Sequence, residues 1–138
     1  MKAYWLPQGG YVDLPIESPA ANFVFTSELT GCAIYVDQFD AHTYRAYHIE
    51  VPKKAAQYDS QSHGKGLVDS FTWAEYGLED NINRTRATAL LQFNANKQWT
   101  LLGQVIKGRP QGFSNGKAID VSAQSVEKLY NKVLAKKA

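Results

Sequence analysis

Apolar and polar positions alternate along the chain in short bursts separated by Gly, Pro, Asn and Asp, a pattern that predicts strands. The bursts fall at residues 11–14, 22–27, 32–37, 43–51, 67–73, 87–94 and 99–107, and they are rich in β-branched and aromatic residues. Pro15 and Pro19 mark the first connection, residues 38–42 a hairpin turn, Pro52 the end of the fourth strand and Ala95-Asn96-Lys97-Gln98 a second hairpin turn. Residues 53–65 are polar without periodicity and read as a long loop. Residues 75–86 fit either a short helix or an irregular crossover. The periodicity changes near the end. Val126, Leu129, Tyr130, Val133 and Leu134 recur at helical spacing behind Ser122, which predicts a core-facing helix over residues 122–135 capped by that serine. Lys128, Lys132, Lys136 and Lys137 then suit the negative end of the helix dipole. The expected fold is α+β: sandwich-like antiparallel or mixed sheets with flanking helices, in one domain covering residues 1–138.

Composition narrows the function classes. The 138 residues are 44% hydrophobic and 20% charged, the balance of a folded domain and not of a disordered chain. No apolar run approaches the ~20 residues of a membrane-spanning helix, so no membrane span is expected. Met1-Lys2-Ala3-Tyr4-Trp5-Leu6-Pro7 lacks the apolar centre of a classical signal peptide. The expected location is the cytoplasm, or a target cell reached through a specialised secretion system. A net charge of +2 is too small a surplus for a nucleic-acid partner. The single cysteine, Cys32, excludes an intramolecular disulfide and a thiolate zinc cluster. The three histidines have no metal-ligand spacing, so neither a metal nor a cofactor is expected. Asn83-Arg84-Thr85 matches a glycosylation acceptor but has no export signal to make it meaningful.

The thiol has a candidate partner. A hairpin turning at Asp40 pairs Val36 with Tyr44, Ile34 with Ala46 and Cys32 with His48, all on one face because side chains alternate with period two. Directly opposed Cβ atoms stand ~4.5–5.5 Å apart, within reach of a thiol–imidazole contact. The thiolate is the nucleophile, and an imidazole can take the thiol proton and later return it to a leaving group. Gly31 permits an unusual backbone angle beside the sulfur, and the backbone at Gly31 and Cys32 supplies candidate oxyanion donors. Thr26 falls on the same face as Val24, opposite Phe23 and Phe25, and its hydroxyl can accept from an imidazole N–H. His42 and His63 fall in a turn and a polar loop, where solvent exposure is expected.

Leu29-Thr30-Gly31-Cys32, followed by a strand, a turn and Tyr47-His48, resembles the catalytic segment of the glutamine deamidase toxins. These include the cytotoxic necrotizing factor catalytic domain and Burkholderia lethal factor, and the chemotaxis receptor glutamine deamidases share the Cys–His layout. Thr30 stands where the toxin signature Leu-Ser-Gly-Cys has serine. Thr26 matches the threonine that lethal factor and the chemotaxis enzymes carry six positions ahead of the cysteine. The resemblance covers residues 22–48. It implies a β-sandwich with flanking helices, Cys32 as nucleophile, His48 as general base and acid, and Thr26 as the group orienting the imidazole. The implied activity is hydrolysis of a glutamine carboxamide on a target protein, by a bacterial toxin or effector that needs no cofactor.

A cysteine peptidase or a transglutaminase would use the same dyad on a different acyl donor or acceptor. The contrasting expectation is a non-enzymatic protein-binding module. There Cys32 is a buried small apolar residue, and Trp5, Tyr58, Trp73 and Tyr76 form an interface, for which the 12% aromatic content is suited.

Overall fold

The structure, a computed structural model, describes residues 2–77, 86–107, 113–114, 117–118 and 125–138. The β-propensity read from the sequence is realised in strands β1 (Tyr4–Leu6), β2 (Tyr11–Pro15), β3 (Phe23–Thr26), β4 (Ala33–Asp40), β5 (Thr43–Ile49), β6 (Leu67–Phe71), β7 (Arg86–Phe93), β8 (Trp99–Lys107), β9 (Phe113–Ser114), β10 (Lys117–Ala118) and β11 (Ser125–Val133). Helical geometry is confined, among the described residues, to a π-helical turn at Ala55–Asp59 and one α-turn, α1, at Trp73–Tyr76. Strands β1-β3-β7-β8-β11 form a five-stranded sheet in which β1 runs parallel to β3 and the other pairs are antiparallel. Strands β2-β5-β4-β6 form a second, antiparallel sheet, and β9 pairs with β10.

Period-two alternation sends Val24, Leu91, Leu101 and Val105 of the larger sheet and Leu14, Val36, Ala46 and Phe71 of the smaller one into a single apolar core. Trp99 ties the two sheets at one end. It is 1% exposed, its indole N–H donates to the Pro15 carbonyl on β2 at 2.8 Å, and its ring meets Tyr4 and Phe93 edge-on.

The end of the chain departs from the expected helix over residues 122–135. Residues 125–133 are strand β11, paired with β8 from Ser125↔Lys107 to Val133↔Thr100. The register shifts between Val126 and Lys128. Beyond that bulge Tyr130 and Leu134 turn to the core, while Leu129 and Val133 stand 72% and 50% exposed. The helical spacing of apolar residues thus mixed the two faces of a strand. Two of the four basic tail residues make ion pairs, and none complements a helix end: Lys132 pairs with Glu75 and Asp69, and Lys136 with Glu17. Ser122 and Asn83-Arg84-Thr85 lie outside the described residues.

Residues 53–65 are more ordered than a polar loop. Tyr58 is buried, and its hydroxyl donates to one carboxylate oxygen of the fully buried Asp37, while His63 Nδ1 bonds the other, each at 2.6 Å. His63 is therefore half-buried and hydrogen-bonded to Asp37, not free in solvent; His42 is exposed as expected. The β4–β5 hairpin closes with Asp40↔Thr43 around Ala41-His42, the Asp40 carboxylate accepting from the His42 amide at 2.8 Å. Phe39 is an extra residue on β4, bulged between Gln38↔Tyr44 and Asp40↔Thr43. Gly64 (φ +57) packs on that bulge so closely that a Cβ there would lie 1.9 Å from the Phe39 carbonyl oxygen. Only glycine fits.

Candidate active site

Thr26 ends β3 in one sheet, His48 lies near the end of β5 in the other, and Cys32 immediately precedes β4. The Thr26 hydroxyl donates its one proton to the Leu6 carbonyl at 2.8 Å. Toward His48 Nδ1, 2.6 Å away, it can therefore only accept. That assigns the proton to Nδ1 and leaves Nε2 as a bare acceptor, buried and with no hydrogen-bond partner among the described residues. His48 is fully buried, and burial pulls its pKa below the ordinary 6.5 against the opposing charge of Glu50. The imidazole is neutral at pH 7, the state a general base requires.

Cys32 does not face His48 directly, as a turn at Asp40 would place it. Ile34 does. Cys32 sits two residues further along on the same face, diagonal to the imidazole, with Glu50 just past the end of β5. Diagonal neighbours stand roughly 7–8 Å apart, and no hydrogen bond joins sulfur to imidazole. Only 9% of Cys32 is exposed. Burial, then the Glu50 carboxylate, pushes the thiol above its ordinary 9.0, while the Thr30 backbone N–H opposes the shift by bonding to sulfur. At rest the pair is thiol and neutral imidazole, not thiolate and imidazolium.

The backbone beside the sulfur is held by a residue that sequence reasoning assigned elsewhere. Gly31 takes φ +127, and its N–H donates to the Tyr76 hydroxyl at 2.8 Å, which in turn donates to the Cys32 carbonyl at 2.6 Å. Tyr76 is fully buried, its hydroxyl pushed up to about 12 by burial. The Gly31 amide, one of the two expected oxyanion donors, is thus already committed, and the Cys32 amide is the other. Of the four aromatics expected at an interface, Tyr58 and Tyr76 are interior, whereas Trp5 and Trp73 are 59% and 43% exposed. A signal for α1 was present in Thr72-Trp73-Ala74-Glu75: Thr72 and Glu75 form a reciprocal capping box that positions Tyr76. Tyr76→Phe strands the Gly31 N–H and the Cys32 carbonyl, so we expect a loss of about 1–3 kcal/mol in urea unfolding. A loss below about 0.5 kcal/mol would show that the clasp carries no stability.

A residue at the site without a sequence signal is Gln8. It lies in the turn Pro7-Gln8-Gly9-Gly10, pinned to β5 by Gly9 N–H to the His48 carbonyl (2.7 Å) and His48 N–H to the Gly10 carbonyl (3.1 Å). Its Nε2 lies 4.0 Å from Cys32 Sγ and 3.4 Å from a Glu50 carboxylate oxygen. A concavity of about 520 Å³ on the five-stranded sheet is lined by Phe25, Thr26, Leu90, Leu102 and Leu129 among others, and not by Cys32.

Residues 5–132 match the family described as the Mcf1 activator-binding domain. No curated protein matches the chain. The matched span runs from β1 into β11 and takes in Thr26, Cys32 and His48 together with both sheets that carry them, so the chain belongs to the Mcf1 activator-binding domain family.

Proposed function

We propose that the protein is a cysteine-dependent glutamine deamidase acting on a protein substrate, in the manner of the toxins its Leu29-Thr30-Gly31-Cys32 segment resembles. The observation that supports this most is the 2.6 Å contact between Thr26 and His48. These residues come from different sheets, and the motif spacing alone nominated them as partners. Two sheets sharing one core are in keeping with the sandwich of those enzymes.

The chemistry follows from the protonation states. As Cys32 Sγ attacks the carboxamide carbon, its proton passes to His48 Nε2, whose lone pair Thr26 has left free. Nε2–H then protonates the nitrogen, the C–N bond breaks and ammonia leaves a thioester. Water adds to the thioester, giving a proton to Nε2; the C–S bond breaks, the thiol is restored and glutamate remains. The diagonal Cys32–His48 placement requires the contact to tighten on binding, as is common for sites without substrate.

The test is mass spectrometry of glutamine-bearing proteins after incubation, with Cys32→Ser as control. Cys32-dependent conversion of a glutamine to glutamate supports the reading; its absence across a target-cell extract sinks it. Thr26→Val keeps the shape but removes the acceptor for Nδ1–H, so kcat/KM should fall about tenfold, the worth of one neutral hydrogen bond. Unchanged kcat/KM in that variant removes Thr26 from the machinery.

A protein-binding role is favoured by one observation, the family itself, whose description names activator binding. On this reading Leu129, 72% exposed beside Leu102 and Leu90, contacts the partner, and Cys32→Ser leaves binding intact. The two roles are compatible: an amide hydrolase acting on a protein must first hold it.

A further inference from the structure

We propose that the side-chain amide of Gln8 is an oxyanion donor of this site, its Nε2–H group bonding the oxygen that becomes negative when Cys32 attacks a carbonyl. The inference rests on Cys32 being the nucleophile, and it adds a residue that the motif does not contain.

Three observations converge. First, acyl transfer needs donors placed beside the nucleophile before reaction, and one of the two backbone donors at the motif is occupied: the Gly31 N–H is bonded to Tyr76. A replacement has to come from elsewhere in the chain. Second, Gln8 Nε2 is a side-chain N–H donor within 4.0 Å of Sγ. That separation suits the role, since the oxyanion forms one carbon away from sulfur and its donors sit about 2.7–3.1 Å from the oxygen, not from the sulfur.

Third, the amide is oriented. Its nitrogen faces the Glu50 carboxylate (3.4 Å), which only accepts, and its oxygen faces the Ser27 hydroxyl, which donates at 3.5 Å. Glu50 is itself fixed by Gln57, whose side-chain oxygen accepts from the Glu50 amide at 2.7 Å and whose Nε2 donates to its carboxylate at 2.9 Å. The backbone of the Gln8 turn is hydrogen-bonded to the strand carrying His48, so donor and base are referenced to the same piece of β5. An N–H held between a carboxylate and a thiol acquires its strongest partner when the carbonyl oxygen beside it becomes an anion.

The experiment compares two reactions of the same sulfur. Acylation by p-nitrophenyl acetate passes through a tetrahedral oxyanion and needs no glutamine pocket; alkylation by iodoacetamide is a displacement that forms none. Both rates are read for the parent, Gln8→Ala, Gln8→Glu and Cys32→Ser, with peptide-glutamine deamidation followed in parallel. Gln8→Ala should lower acylation about 10²-fold while alkylation is unchanged or faster. Gln8→Glu, which sets a carboxylate where the anion develops, should lower acylation further.

Equal acylation in parent and Gln8→Ala overturns the proposal, and so does a matching fall in both reactions, which would mark a structural role. Conversion of Gln8 itself to glutamate in the parent but not in Cys32→Ser also overturns it, because Gln8 would then be a substrate. A parent whose Cys32 is not acylated at all removes the nucleophile and the proposal with it. Acylation that depends on Gln8 without any glutamine deamidation keeps the proposal and discards only the deamidase reading.

Discussion

On the proposed function, Cys32→Ser is expected to lower deamidation by roughly 10⁴-fold or more with little change in the urea midpoint, since serine fills a similar small volume just before β4. His48→Ala should cost a comparable factor, and the double variant should be no worse than either alone, because a nucleophile and its base act as one unit. Additive losses would mean that the two residues serve different steps. The pH dependence carries a second signature. His48 must be neutral to accept the thiol proton, and burial lowers its pKa. The acid limb of kcat/KM should therefore fall below pH 6.5, the ordinary histidine value. For the thiol the sign is opposite. Burial and Glu50 raise it, so direct alkylation should keep climbing with pH beyond 9.0. A thiol alkylated at full rate by pH 7 would contradict the neutral resting pair.

Trp99→Ala is expected to be the most damaging substitution for stability. The side chain is almost wholly buried, packs edge-on against Tyr4 and Phe93, and bonds the Pro15 carbonyl on the other sheet. Truncating a buried tryptophan to alanine costs about 3–5 kcal/mol, and domains of this size have about 5–15 kcal/mol to lose. The measurement is urea unfolding followed by far-ultraviolet circular dichroism, with the m-value compared between variants. A loss under about 1 kcal/mol would mean that the sheets are joined elsewhere.

Strands β2 to β8 were legible because each depends on local alternation, whereas the three-residue β1 was not: residues 99–107 are β8 as the pattern places them, and the turn at Ala95-Asn96-Lys97-Gln98 is capped by Asn94. The contact between Thr26 and His48 was legible because a motif spacing pairs them. What sequence could not carry is pairing decided at a distance. Residues 125–133 have apolar spacing suited to a helix, yet the open edge of β8 takes them as a strand, and a bulge absorbs the phase mismatch. Tyr76 clasps the Gly31–Cys32 peptide across 44 and 45 residues of sequence with no periodic trace. Gln8 sits in a Gly-rich turn that announces only that the chain reverses.

The bulge at Phe39 acts as a parity correction. Pairing continued without interruption from Asp40↔Thr43 would set Tyr35 opposite His48 and carry the imidazole to the side of the sheet away from Cys32. One surplus residue cancels that half-period, so Ile34 takes the place opposite and thiol and imidazole share a side. The hairpin therefore counts in twos. A single-residue insertion or deletion between Cys32 and His48 separates the two groups unless a second bulge offsets it, whereas a change of two slides one past the other on the same side. Relatives that keep thiol and imidazole on one side should vary the hairpin in even steps, a constraint on chain length rather than on residue identity.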